Sequence, residues 1–238
     1  QREVRQLGRK PGFSIFDDQD SKALLKELLI DHSDAASTLV DLCQQQISQW
    51  KNACLSPDHV AGLAESPQEA RIVEVFRRYQ QALTSYNAVD FDDLIGLPVQ
   101  LLSTNPEALN RWQSKIRYLL VDEYQDTNVS QYRLVQLLGG ARHGLAVVGE
   151  DDKSIYAWRG ANPENLVQLE TDFPGLKVVK LEQNYRSTNR ILRAANRLIA
   201  NNPHVYEKRL WSEKGLGEFI QVLQVPNDDA ETERIANQ

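Results

Sequence analysis

Apolar residues recur at helical spacing through the first third of the chain, then give way to short unbroken runs. "DSKALLKELLIDH" (20–32) and "AASTLVDLCQQQISQWKNA" (35–53) each predict a helix with one apolar face. "SPQEARIVEVFRRYQQALTSYN" predicts a third and longer helix. Ser66 is a natural N-cap, Pro67 suits the first helical position, and Glu69 completes a capping box. Its stripe Ile72, Val75, Phe76, Tyr79 and Leu83 marks a buried face. Beyond "NAVDFDDLIGLPVQLL" the pattern changes. "IRYLLVD" (Ile116 to Asp122), "GLAVVGE" (Gly144 to Glu150) and "LKVVKLE" (Leu176 to Glu182) are continuous apolar runs of strand length. Helical stretches at Ser130 to Leu138 and Pro163 to Thr171 separate them. Strands without polar alternation, spaced by helices, predict a parallel sheet buried on both faces in an α/β fold. Ser187 is placed to cap a further helix through about Asn201; "EFIQVLQV" predicts a last short strand, and the acidic tail begins one more helix.

Composition narrows the class without naming it. The 238 residues suffice for one large domain or two smaller ones. No apolar run approaches the roughly 18 to 20 residues that span a bilayer, and the N-terminus has no signal-peptide core, so no membrane partner is expected. The two cysteines, Cys43 and Cys54, form neither a CxxC pair nor a His-Cys cluster, which predicts a reducing, cytoplasmic setting without zinc. Net charge is −6, yet Lys177 to Lys214 holds nine Lys or Arg against three Glu. That local excess fits a solvated helix face or a stripe for an anionic polymer.

In an open parallel sheet, ligands gather beyond the carboxyl ends of the strands. The first strand ends in "VDEYQDTN": Asp122 and Glu123 are suited to a hard cation or to activating water, although loop acids and helix caps give the same pattern. The second ends in "VVGEDDKSIYAWRGA", where Gly149 permits a tight exit and Tyr156, Trp158 and Arg159 cluster. These three serve either core packing or base stacking with a cation for phosphate. The third ends in "LEQNYRST", with Gln183, Tyr185 and Arg186 before a helix. Three strand ends carrying polar clusters at one sheet edge weigh more than any of them alone. A Mg²⁺-dependent nuclease built on Asp122, Glu123 and Asp126 would need further carboxylates on adjacent strands, which the sequence does not supply.

"DFDDLI", "VDEYQDTN", "SIYAWRGA" and "LEQNYRST" resemble, in order and at matching separations, the motifs of superfamily 1 DNA helicases of the Rep, UvrD and PcrA type. The likeness continues through "NNPHVYEKRLW", nearest to the Rep branch. It implies a partial RecA-like parallel sheet of the P-loop NTPase type with an inserted all-helical subdomain. Residues 1–86 would be that helical subdomain, 87–182 the C-terminal half of the first RecA-like domain, and 183–238 the start of the second. The family couples Mg²⁺ and ATP hydrolysis to 3′ to 5′ movement on single-stranded and forked duplex DNA. By the resemblance Asp122 holds Mg²⁺, Glu123 is the base, and Gln125 and Asp126 link nucleotide state to DNA grip. Tyr156, Trp158 and Arg159 contact DNA, Tyr185 stacks near the nucleotide base, and Arg186 reaches the γ-phosphate. One departure stands out: Lys153 replaces the family's γ-phosphate-sensing glutamine, and an ammonium cannot accept a hydrogen bond from water. The chain has no Met and no GK[ST] loop, so an internal piece of a longer protein is expected. Such a piece would be inactive alone and would expose apolar sheet surface able to self-associate.

Overall fold

The computed structural model describes residues 3–29, 37–139, 144–162 and 164–237. Ile30 to His32, Ala35, Ala36 and Pro163, which belong to helices expected above, lie outside them, as does the side chain of Arg159. The chain divides into two compact units, Gln1–Leu176 and Lys177–Gln238.

In the first unit, after a 3₁₀ turn at Val4–Leu7, β1 (Ser14–Phe16) pairs in parallel with β2 (Ala88–Asp90). Between them run α1 (Asp18–Leu28), α2 (Ser37–Asn52), the single-turn α3 (Pro57–Ala61) and α4 (Pro67–Ser85). The long helix starts as its sequence dictates. The Ser66 hydroxyl accepts the Glu69 N–H, and the Glu69 carboxylate accepts the Ser66 N–H. Its predicted stripe Ile72, Val75, Phe76, Tyr79 and Leu83 is buried against Leu24, Leu25, Val40, Cys43 and Ile47. Neither β1 nor β2 was expected, because three residues are too few to show a period.

Lys51 and Asn52 end α2 at a junction with β2 and with α5 (Asp93–Thr104). The Lys51 ammonium, nearly inaccessible, lies 2.6 Å from Asp90 and 2.7 Å from Asp93. The Tyr79 hydroxyl donates to Asp90, and the Arg9 guanidinium donates to the carbonyls of Leu83 and Ala88. Burial pushes the Asp93 carboxyl above the usual carboxylate range, opposed mainly by Lys51. These charges are tolerated because every cation faces a carboxylate or a carbonyl.

Next come α6 (Pro106–Lys115), β3 (Leu119–Val121), α7 (Val129–Gly139), β4 (Leu145–Val147) and α8 (Glu164–Asp172). β3 and β4 pair in parallel with Leu119 opposite Leu145 and Val121 opposite Val147. Alternate residues Leu119, Val121, Leu145 and Val147 pack on Tyr124, Tyr132, Val135, Leu166 and Leu169. The Asp172 carboxylate accepts from Tyr132 and Gln136, tying α8 to α7. The other sheet face is open, with Tyr118 79%, Leu120 78% and Val148 58% exposed. The expectation of a sheet buried on both faces therefore fails. An unbroken apolar run supplies side chains to both faces, but among the described residues helices cover only one.

In the second unit, "LKVVKLE" and "EFIQVLQV" are not strands. Only an isolated bridge joins Gln183 to Trp211, and Val179 and Leu181 are exposed. A strand needs a ladder partner as well as suitable residues, and no described segment pairs with these runs. Helix α9 (Asn189–Ile199) begins after Thr188 rather than at Ser187. Its first-turn N–H groups at Asn189 and Arg190 reach the carbonyls of Gly215 and Leu216, which takes the place of a side-chain cap. The Asn189 and Asn196 amides each bond both backbone groups of one residue, Ser212 and Leu210 respectively. Helix α10 (Asp228–Ala236), capped by Asn227, closes the chain.

Candidate functional site

The acidic loop follows β3 directly. Asp122 Oδ1 accepts the N–H of Glu123, and both side chains are exposed. Glu123 sits in the left-handed region at φ 49°, ψ 46°, where a residue with a Cβ is strained. A short 3₁₀ turn, Tyr124–Asp126, comes next, and it turns Tyr124 fully inward against the Tyr132 ring. Burial pushes the Tyr124 hydroxyl up, with Tyr132 and Asp172 adding to the effect, so it stays neutral.

Gln125 is the hinge pin of this loop. It is 1% exposed, its Oε1 accepts the Glu150 N–H at 2.9 Å, and its Nε2 donates to Glu123 Oε2 at 2.9 Å and to Asp126 Oδ2 at 3.2 Å. One amide thus holds the exposed carboxylate on one side and the exit of β4 on the other. Gly149 allows the approach. A Cβ there would lie 3.2 Å from Gln125 Oε1 and 3.4 Å from Tyr124 Cβ, so the glycine supplies space rather than an unusual φ. Thr127 makes the next tie: its carbonyl accepts from the Asn162 N–H and from Asn165 Nδ2.

Beyond β4 the chain makes two 3₁₀ turns, Asp151–Lys153 and Ala157–Arg159. Lys153 is exposed in the first. Tyr156 (39% exposed) and Trp158 (66%) stand together, ring centroids 6.4 Å apart and planes tilted by 52°. Gly160 ends the second turn at φ 83°, and Asn162 returns the chain to Thr127. The acidic loop and the aromatic loop are therefore joined by backbone and amide hydrogen bonds within one unit. In the other unit, Asn184 Oδ1 accepts the N–H groups of Arg186 and Ser187, which presents the exposed Tyr185 and Arg186 from a tight turn; the Tyr185 hydroxyl donates to Gln183.

Asp122 and Glu123 offer oxygen ligands of the kind a hard cation takes, but with Asp126 they do not converge as a three-carboxylate cluster among the described residues. The first two are exposed, and Asp126 Oδ1 is buried without a hydrogen-bond donor among the described residues. Residues that sequence reasoning missed are Thr127, Asn128 and Asn52. Asn128 could have been read as the cap of α7, since its Oδ1 accepts the Gln131 N–H three residues on. Asn52 is 76 residues distant from it in sequence and gives no local signal.

The parallel pair β3–β4 thus carries an acidic loop at one exit and an exposed aromatic pair beyond the other. Residues 1–174 match the family model of the UvrD/REP helicase N-terminal domain, and residues 179–238 match the UvrD-like helicase C-terminal domain. The chain belongs to the UvrD/Rep helicase family. Among individual relatives it is 53% identical, over 237 residues and its whole length, to the "ATP-dependent DNA helicase Rep" of Escherichia coli K12. The Rep helicase of Salmonella typhimurium is 52% identical over the same span, and the "ATP-dependent DNA helicase PcrA" of Leuconostoc citreum 41% over 92% of the chain. The match takes in 35% of each Rep protein and 29% of the PcrA protein, so the chain spans about a third of the length of these relatives. No described helix is long and apolar enough to cross a membrane.

Proposed function

We propose that the chain supplies the acidic and DNA-contacting segments of a cytoplasmic, ATP-dependent helicase that moves 3′ to 5′ on single-stranded DNA and opens forked duplex. The observation that carries this reading is Gln125, whose amide bonds the exposed Glu123 carboxylate and the Glu150 N–H at the root of the aromatic loop. On this reading Asp122 would hold Mg²⁺, and Mg²⁺-ATP, when bound, supplies the γ-phosphoryl group that water attacks. Glu123 accepts the proton of that water at a carboxylate oxygen, and Gln125 fixes which oxygen is presented. Tyr156 and Trp158 stack on bases while Arg159 meets phosphate. Tyr185 stacks on the adenine, and Arg186 supplies a guanidinium to the γ-phosphate. Residues 1–86 make up an inserted helical subdomain, 87–182 the C-terminal half of a RecA-like domain, and 183–238 the beginning of a second. The last division falls a few residues past the compact-unit boundary at Leu176.

DNA-stimulated ATPase of the full-length gene product tests the reading. Wild type should hydrolyse ATP. Glu123→Gln should lower kcat by about 10²- to 10⁴-fold while still binding nucleotide, and Arg186→Ala by about 10³-fold or more. The present chain alone, without a GK[ST] loop, should show none. A wild-type protein without DNA-stimulated hydrolysis, or Glu123→Gln with undiminished kcat, overturns it. The exposed Tyr156–Trp158 pair favours a second reading, a single-strand binding module without ATPase activity, and that is the outcome if anisotropy detects DNA binding but no hydrolysis follows.

A further inference from the structure

The acidic loop has a third anchor, which runs from Asn128 at its end to Asn52, a residue outside every motif. Asn128 Oδ1 accepts the Gln131 N–H at 2.9 Å and the Ser130 hydroxyl at 2.9 Å, which caps α7 and leaves its Nδ2 pointing away from the helix. That Nδ2 donates to Asn52 Oδ1 at 2.8 Å. Asn52 Nδ2 in turn donates to Asp92 Oδ1 at 3.0 Å and to the Ser48 hydroxyl at 3.2 Å. Chemistry fixes the direction of this chain. Rotating the Asn52 amide would set its NH₂ against that of Asn128 and its oxygen against a carboxylate. The run is polarised from Asp92, through Asn52, to the residue that starts α7 and ends the acidic loop.

Neighbouring residues on α2 therefore take neighbouring acids of "DFDD" to different ends. Lys51 neutralises Asp90 and Asp93 inside the helical layer, whereas Asn52 takes Asp92 and reaches out to the loop. We propose that Asn52 is a positioning residue: through Asn128 it sets the place of the loop that carries Asp122, Glu123 and Gln125, so that the helical layer controls the geometry of hydrolysis without touching substrate. The kinetic part of this proposal rests on the function proposed above; the structural part does not.

A reciprocal exchange tests it. In Asn52→Asp a carboxylate faces Asp92 and the donor between them is lost. In the double variant Asn52→Asp with Asp92→Asn, the new carboxylate accepts from both Asn128 Nδ2 and the new amide at 92, so the chain is rebuilt with its middle links exchanged. In the full-length gene product, Asn52→Asp should lower DNA-stimulated kcat about tenfold with KM for ATP changed less than twofold, and the double variant should return to within about twofold of wild type. Amide hydrogen exchange gives a readout free of turnover: protection at Asn128 to Gln131 should fall in Asn52→Asp and recover in the double variant. Undisturbed protection and kcat in Asn52→Asp, or a double variant no better than the single, overturns the proposal. If wild type lacks ATPase activity, the proposed function fails, while hydrogen exchange still decides whether Asn52 holds the loop. Should Asn52→Asp not fold, Asn52→Leu, which keeps the volume and removes the polarity, replaces it with the same expected loss.

Discussion

Glu123 carries two demands that oppose each other. Its carboxylate must stand free at the strand exit, and its backbone pays with a left-handed conformation at φ 49°. Because both variants lose the carboxylate, Glu123→Gly should be more stable than Glu123→Ala by about 1 kcal/mol, the reverse of the order in an ordinary helix. Chemical denaturation of the two proteins checks this, and equal midpoints would show that the strain is absent. Gln125 is the complementary case. Truncation to Ala removes the amide that accepts the Glu150 N–H and donates to one oxygen of Asp126, which should cost about 1–3 kcal/mol. The acids of this loop were legible in the sequence because carboxylates after an apolar run are conspicuous. The role of Gln125 in the geometry was not, since the Glu150 N–H that ties it to the exit of β4 comes from 25 residues further along the chain.

Helix α4 was readable because its start is local. Ser66 and Glu69 complete their hydrogen bonds within one turn, Pro67 at the first helical position needs no N–H partner, and Ser66→Ala should cost about 1 kcal/mol in thermal unfolding. Helix α9 was misread by a residue because its first N–H groups are satisfied by Gly215 and Leu216, which no local pattern announces. The short pair β1–β2 was invisible because three residues show no period, and with it the junction at Lys51. Replacing Lys51 by Met would leave Asp90 and Asp93 buried together with only the Arg9 guanidinium, 4.0 Å from Asp93, to offset them among the described residues, at a cost of about 3–5 kcal/mol. The neighbouring Asp92 has its carboxyl raised chiefly by burial. A carboxyl raised on folding binds its proton more tightly in the folded state, so its contribution is complete below the usual carboxylate range and declines as pH rises through the raised value. Asp92→Asn removes this decline while keeping an acceptor for Asn52. Its stability should therefore fall less steeply than that of wild type as pH rises from the carboxylate range toward neutrality, as urea unfolding at stepped pH would record.

For the whole molecule, the alternation of helices with apolar runs was legible beforehand, but not how many of those runs become strands. Leu176 to Glu182 has the composition of a buried strand and lies without a ladder partner among the described residues. Periodicity reports what a segment can bury, whereas pairing depends on what arrives beside it. The open face of β3–β4, with Tyr118 and Leu120, is the apolar surface expected to associate. Leu120→Lys should lower the weight-average mass seen by sedimentation at high protein concentration without shifting the thermal midpoint.

The Tyr156–Trp158 pair has an optical consequence. Of the four tryptophans, Trp50 and Trp112 are partly covered, Trp211 is 46% exposed, and Trp158 is 66% exposed in the loop proposed to hold DNA. A base stacked on that indole would quench its emission, giving the protein a label-free fluorescent reporter at the point where DNA engagement is expected to begin.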